Sequence, residues 1–453
     1  MISNAPPIQI RSAELIGALS HALDLTEGQP SGHCTRVCWI GMKLGEAINM
    51  PRHELSDLYY TLLLKDLGCS SNAARICQLY LADDRKLKAD FKTIDGSMSQ
   101  ALRFVLSHTG LDRSMAERFR AIIHIMRNGG EIARELIEAR CHRGADIARQ
   151  MGFSSNVAEA IQNLDEHWDG SGKPESKVRR NIPVASQIAL LAQVADVFFI
   201  GQGRAAAIKE IESRANTWFD GDLVDIFLNL AQEDAFWGPL ADADLTQLVL
   251  TLEPQEHIRL ADEDYMDRVA KGFAMVVDSK SPFTAGHSER VAVYADMIAE
   301  KLGYSPEHRR WLRRAALLHD LGKLAISNQI LDKPAKLDEA EFAIVKTHPR
   351  ISGEILQAIP AFKDLVPVAV GHHEKLDGKG YPHGLSGDQI SLDTRIVTVA
   401  DVFDALTADR PYRKALPVEQ ALSIIGKDLG TAFDKRCYDA LASAMREATA
   451  NAA

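Results

Sequence analysis

Apolar residues recur at three- and four-residue steps through Arg36–Ile48, Leu55–Leu67, Val157–Leu164, Ser288–Leu302, Arg309–Leu318, Glu339–Lys346 and Glu419–Ile425. That period lays one apolar stripe along an α-helix, and no sustained apolar/polar alternation of the strand type competes with it. The pattern predicts an all-α protein. A chain of 453 residues also exceeds what one hydrophobic core usually serves, so two domains are expected.

Self-similarity locates the two. Gly32-His33-Cys34-Thr35-Arg36-Val37 returns as Gly286-His287-Ser288-Glu289-Arg290-Val291, and Leu62-Leu63-Leu64-Lys65-Asp66-Leu67-Gly68 returns at the same offset as Ala316-Leu317-Leu318-His319-Asp320-Leu321-Gly322. Cys141-His142-Arg143 aligns with Thr347-His348-Pro349, Trp168–Pro174 with Leu376–Pro382, Val194–Phe198 with Val399–Phe403, and Trp218-Phe219-Asp220 with Ala432-Phe433-Asp434. Blocks repeated in one order mean two copies of one helical domain, over residues 1–255 and 256–453, joined through the polar stretch Glu253–Asp264. Two copies make a tandem rather than a solenoid.

Composition then narrows the partners. A formal net charge of −10 argues against broad electrostatic binding of a nucleic-acid polymer, so any phosphate-binding charge must be concentrated locally. Of the six cysteines, Cys34, Cys38, Cys69, Cys77, Cys141 and Cys437, five fall in the first third, unlike a secreted disulfide framework, and they suit a reducing cytoplasm. Cys34 and Cys38, one turn apart, are expected to pack rather than to bind metal. The N-terminus lacks a charged region followed by an apolar one, and no run approaches eighteen consecutive apolar residues, so a soluble protein without membrane contact is expected.

Candidate chemistry gathers in the second copy. His319-Asp320 ends the largely apolar run Leu312–Leu318, in the company of His287, His348, the doublet His372-His373, and Asp401 set in Ile396-Val397-Thr398-Val399-Ala400. A carboxylate in that apolar segment is costly to bury unless it is paired or bound to a metal. Imidazole and carboxylate donors without thiolate favour a borderline or hard divalent ion such as iron or manganese. Five imidazoles and two carboxylates exceed the needs of one ion. With one carboxylate bridging, they suit two metals about 3.5–4 Å apart, a spacing that can hold a bridging hydroxide as nucleophile and polarise a phosphoryl oxygen. Concentrated positive charge comes from Asp409–Lys414, where Arg410 and Arg413 lie three apart and can share a helical face toward phosphate oxygens. Gly378, Gly380, Tyr381 and Pro382 form a turn that shapes the rim of the pocket.

Over roughly residues 262–445 these motifs resemble the HD-GYP branch of the HD superfamily of metal-dependent phosphohydrolases. The resemblance rests on Gly286-His287-Ser288, Leu318-His319-Asp320-Leu321-Gly322-Lys323, Thr347-His348-Pro349, Gly371-His372-His373-Glu374, Asp377–Pro382 and Val399–Leu406. It implies an all-α phosphodiesterase that opens bacterial cyclic dinucleotides, chiefly cyclic di-GMP, to the linear dinucleotide and in some members the mononucleotide. It also implies that His287, His319, Asp320, His348, His372, His373 and Asp401 are the metal ligands, that Asp320 is the bridge, and that Lys323 contacts phosphate. Tyr381 is expected near a base or a partner protein. Phe283 stands where some members carry a glutamate that helps hold a third metal, so a two-metal site is expected. The rival substrates are cyclic GMP-AMP or another nucleotide, and the rival class is a non-catalytic signalling adaptor. A homodimer or signalling-protein partners fit the sequence equally well.

In the first copy the motif alignment keeps His33, Asp66, His142 and Asp196. It puts Lys65 at the place of His319, Leu164-Asp165 at that of His372-His373, Cys69 at that of Lys323, and Gly172-Lys173-Pro174 at that of Gly-Tyr-Pro. A lysine in a metal seat predicts a catalytically inert copy with a packing or regulatory role.

Overall fold

The structure, a computed structural model, describes residues 11–94, 97–242, 244–254, 261–409 and 413–452. Among these the regular structure is helical, with only isolated bridges such as Asp377 to Ser386, as the apolar period predicts. The chain divides into two compact units, Met1–Tyr265 and Met266–Ala453.

The first unit is built around the helix Val184–Gln202, in which every residue from Ser186 to Phe198 is buried. It packs against His33–Ala47 and Arg52–Leu64. By length and composition alone this helix could cross a bilayer, yet 67% of its apolar window lies inside the unit, the position expected of a core helix that is apolar all round. The 36-residue helix Met115–Gln150 starts at a capping box between Ser114 and Glu117. Ile125 and Ile132 in its first half close a separate small core with Ile76, Leu79, Tyr80, Leu87, Phe104 and Val105.

In the second unit the helix His287–Lys301 packs against Pro306–Leu318, Leu392–Thr407 and Lys435–Ala452. Its start is set by two devices. Gly286 adopts a left-handed φ of 66°, and the Asp278 carboxylate accepts from the Ser288 N–H at 3.1 Å and from the Ser288 hydroxyl at 2.7 Å. The first unit repeats the arrangement: Gly32 has φ 84°, and Asp24 accepts from the Cys34 N–H at 2.9 Å. Each unit thus opens its key helix with a histidine, His33 or His287, turned inward and buried.

A second close approach fixes the opposite wall. The 3-10 turn Leu321–Ala325 lies directly on the helix His348–Gln357, where a Cβ on Gly322 would fall 2.0 Å from the His348 carbonyl oxygen. The Gly322 N–H donates to Ser352 Oγ at 2.8 Å. Only a glycine lets His348 come this near to Asp320.

Candidate metal centre

Four helix ends and one helix interior deliver the donors. His287 opens Gly286-capped His287–Lys301, His319 and Asp320 follow Pro306–Leu318, and His348 opens His348–Gln357. His372 and His373 follow Val366–Gly371, and Asp401 projects from Leu392–Thr407. Helix ends converge because their terminal side chains lie free of the helix's own lateral packing.

The donors form two groups joined by one carboxylate. In each of the sets His287/His319/Asp401 and His348/His372/His373, one ligand atom per residue lies within 4.8 Å of the others. Asp320 sits between the sets. Its Oδ2 faces His287 Nε2 at 3.4 Å and His319 Nε2 at 3.2 Å, while its Oδ1 faces His348 Nε2 at 3.2 Å and His372 Nε2 at 3.7 Å. All seven residues predicted as ligands are therefore brought together, and Asp320 lies between the two sets.

Orientation of the rings tells what the inner nitrogens can do. The outer nitrogens of His319, His348 and His372 face the carbonyls of Ala316, Val345 and Ala369 at 2.6, 2.6 and 2.8 Å. His287 Nδ1 faces Asp404 at 2.7 Å. A carbonyl can only accept, so each of these three Nδ1 atoms carries a proton, and in the neutral ring each Nε2 presents a lone pair inward. Two such lone pairs, on His348 and His372, stand 3.3 Å apart, an arrangement that repels unless a cation or proton lies between them. His287 Nε2, His319 Nε2 and Asp320 Oδ1 are buried without a hydrogen bond, close to carboxylate oxygens or imidazoles but out of hydrogen-bond geometry. Orphaned buried donors are costly. A divalent cation in each group would satisfy them, so the residues fit a metal centre.

Electrostatics divide the groups further. Burial opposes charge throughout, yet Asp320, Asp401 and Asp404 raise His287 well above its ordinary pKa. Burial likewise works against Asp320 and Asp401, but His319 and Lys323 hold the first, and His287 the second, well below the carboxylate range. Around the other group, burial and the neighbouring imidazoles keep His372 well below its usual value and push His373 down to about 3. Both rings are therefore neutral at ordinary pH.

The remaining expected residues are placed as follows. Lys323 pairs with Asp320 Oδ2, with about a fifth of its side chain open to solvent. The Tyr381 ring lies 4.8 Å from that of His373, and burial with the charges of Asp320 and Asp401 raises its phenol, which therefore stays protonated. Arg413 is a correction. It lies in the loop after Leu392–Thr407, not on a helix, and its guanidinium donates to the carbonyls of Leu406 and Ala405 at 2.9 and 2.7 Å, tying the loop to the open end of that helix. Arg410 lies outside the described residues. Three supporting carboxylates were not singled out from the sequence. Asp404 bonds His287 and also takes Arg290 Nε at 2.6 Å, Asp278 caps the start of His287–Lys301, and Glu374 accepts from the N–H groups of His383 and Leu385 at 2.7 and 3.0 Å, anchoring the Gly-Tyr-Pro turn. The spacing of Asp401 and Asp404, one helical turn apart on one face, was the available signal.

The first unit corrects the motif alignment. A Cβ on Gly68 would fall 1.7 Å from the Arg140 carbonyl and 2.7 Å from Gly144 N, as one on Gly322 meets His348 and Ser352. Arg140 therefore stands in the place of His348, whereas His142 is exposed. Asp196 accepts from His33 Nδ1 and Arg36 Nε at 2.6 Å each, the bonds Asp404 makes to His287 and Arg290. Asp196 thus matches Asp404, and Gln193, one turn earlier, takes the place of Asp401. Of the seven ligand positions only His33 and Asp66 survive. Cations from the chain itself fill the gap. Lys65 pairs with Asp66 and lies 3.1 Å from His33 Nε2, Lys92 lies 2.9 Å from Glu27, and Arg140 Nε donates to Asp165 at 2.8 Å.

A profile of the HD domain family matches residues 120–223 and 271–437, which places the chain in that family, within its HD-GYP branch. Among its relatives, the 3'3'-cGAMP-specific phosphodiesterase 3 of Vibrio cholerae is 51% identical over 434 residues, covering 96% of this chain and 94% of that protein. The crystal structure of a cyclic GMP-AMP specific phosphodiesterase of V. cholerae matches with a TM-score of 0.65 at 45% identity, over 97% of this chain and 98% of that one. The cyclic di-GMP phosphodiesterase response regulator RpfG of Xanthomonas campestris is 44% identical over 170 residues, 37% of this chain and 45% of that protein.

Proposed function

We propose that this protein is a metal-dependent phosphodiesterase that hydrolyses a cyclic dinucleotide at the second unit, with 3'3'-cGAMP preferred and cyclic di-GMP as the alternative. The observation that carries the reading is the Asp320 carboxylate, each oxygen turned to a separate group of imidazole and carboxylate donors. Such a set suits two divalent ions, iron or manganese by donor type, bound by His287, His319 and Asp401 on one side and His348, His372 and His373 on the other. When bound, they supply a water of lowered pKa and positive charge opposite the phosphoryl oxygens.

The chain's own residues do the rest. Asp404 and the three backbone carbonyls hold the rings in the ligating tautomer. Lys323, beside Asp320 and partly open to solvent, offers an ammonium to a phosphate oxygen as charge develops on it. Tyr381 offers a protonated phenol and a ring face at the rim. One water is consumed per phosphodiester opened, its oxygen joining phosphorus and one proton passing to the departing ribose oxygen.

The sequence motifs alone favoured cyclic di-GMP. Preference for 3'3'-cGAMP is supported by the relative that aligns over 94% of its own length, whereas RpfG aligns over 45% of its own length and 37% of this chain. The test is turnover of 3'3'-cGAMP and cyclic di-GMP by the purified full chain with Mn²⁺ or Fe²⁺, products being separated by chromatography. Hydrolysis of 3'3'-cGAMP at about ten times the kcat/KM for cyclic di-GMP, a difference of about 1.4 kcal/mol, is expected. The opposite ranking would reverse the substrate assignment, and no hydrolysis of either would sink the function.

A further inference from the structure

We propose that Phe342, Tyr381 and Lys346 form a shelf that receives a purine base of the substrate, an inference that rests on the cyclic dinucleotide reading above. Phe342 lies on the short helix Glu339–Val345, none of whose residues is buried. The residue is 43% exposed, so no core claims it. It stands edge-on to Tyr381, with centroids 6.2 Å apart and planes at 79°, and Tyr381 in turn lies 4.8 Å from the imidazole of His373. An aromatic surface therefore runs outward from one donor group of the metal centre. The Lys346 ammonium lies 4.6 Å from the Phe342 centroid and 5.5 Å from that of Tyr381, held over both rings as a cation over π faces.

The helix that carries the shelf is braced at its start without any ligand. Asp338 and Glu341 form a capping box at the start of the helix, and Lys333 binds Glu341 at 2.7 Å. Lys346 is separated from His348 by Thr347 alone, so the shelf keeps a fixed distance from the donors. Nucleobases stack on aromatic faces with little regard to sequence, and a preorganised platform loses little entropy in receiving them. The ammonium that lies over these rings then meets acceptor atoms of the arriving base.

The competing view is that Phe342 only wedges the Gly-Tyr-Pro turn in place. Phe342→Leu keeps apolar bulk and removes the π face, whereas Phe342→Trp keeps the face. With 3'3'-cGAMP, F342L is expected to raise KM about tenfold with kcat within about twofold, F342W to stay within about twofold of the wild type in both, and Lys346→Met to raise KM as well. Unchanged KM in F342L, equal effects in F342L and F342W, or a fall in kcat at constant KM would each overturn the shelf. Wild-type turnover in the same assay judges the function separately. If the wild type proves inert, equilibrium dialysis of 3'3'-cGAMP decides the shelf: about tenfold weaker binding by F342L supports it, and equal binding refutes it.

Discussion

Replacing Lys65 by methionine isolates the internal cation of the first unit. The lysine side chain has no solvent exposure, and its partner Asp66 has 1%. Methionine keeps the length and removes the charge. Asp66 would keep only the Cys34 and Cys69 thiols, at 3.6 and 3.5 Å, as hydrogen-bond partners, both weak donors whose own ionisation burial suppresses, with Lys92 as the remaining nearby positive charge. Breaking a buried pair from one side costs about 3–5 kcal/mol, a large part of a typical domain's stability of about 5–15 kcal/mol. Although burial pushes Asp66 up, Lys65 and Lys92 hold its pKa below the ordinary value, so in the wild type the pair's stabilisation is present at neutral pH and is lost on acidification through the carboxylate range. The penalty in Lys65→Met should shrink over the same acidic range. Native-state hydrogen exchange of the helices His33–Ala47 and Arg52–Leu64 reads the effect within this unit. The double variant K65M/D66N should recover much of the loss, because removing both charges removes the uncompensated one. A neutral-pH loss below about 1 kcal/mol, or a double variant no better than the single one, would refute the idea that Lys65 replaces a metal's charge.

Asp404→Asn should weaken metal binding at the second unit by about 10–100-fold, because the carboxylate that holds His287 Nδ1 becomes a neutral amide while the ring remains; competition with a metal-sensitive dye measures it. Gly322→Ala should drive a methyl into the His348 carbonyl and displace that imidazole, lowering stability by about 1–3 kcal/mol and removing metal from the His348 group, as unfolding curves and elemental analysis would show. Burial pushes His167, stacked on Trp218, down to about 4 from 6.5. A depressed histidine stabilises fully above 6.5 and loses that contribution as pH falls toward 4, so the stability of His167→Gln should depend less on pH in that window than the wild type's; equal slopes would contradict the assignment.

Much of this architecture was legible because helices advertise themselves by period and because tandem copies repeat apolar blocks in order. The seven clustered donors were legible for another reason: each alone reads as an ordinary surface or core residue, but together, in the order of the family motifs, they point to one site. The supporting groups were harder to see. Asp404, Asp278 and Glu374 act through geometry, bonding an outer nitrogen, a helix start and a turn, and nothing in composition separates them from surface carboxylates. Register in the first unit failed for a physical reason. The segment Val194–Phe198 repeats Val399–Phe403 in letters, but a shift of one helical turn keeps the same face apolar, so packing tolerates the slip that places Asp196 with Asp404. Arg413 misled because charge alone does not say whether a guanidinium meets a ligand or the carbonyls of a neighbouring helix end.

Metal content and 3'3'-cGAMP hydrolysis, measured on one sample of the full chain reconstituted with Mn²⁺ and then stripped with a chelator, test the binuclear site most directly. About two equivalents of metal per chain should be bound, and metal and turnover should vanish together and return together on adding Mn²⁺ back. Hydrolysis that persists undiminished in the stripped protein would contradict the account.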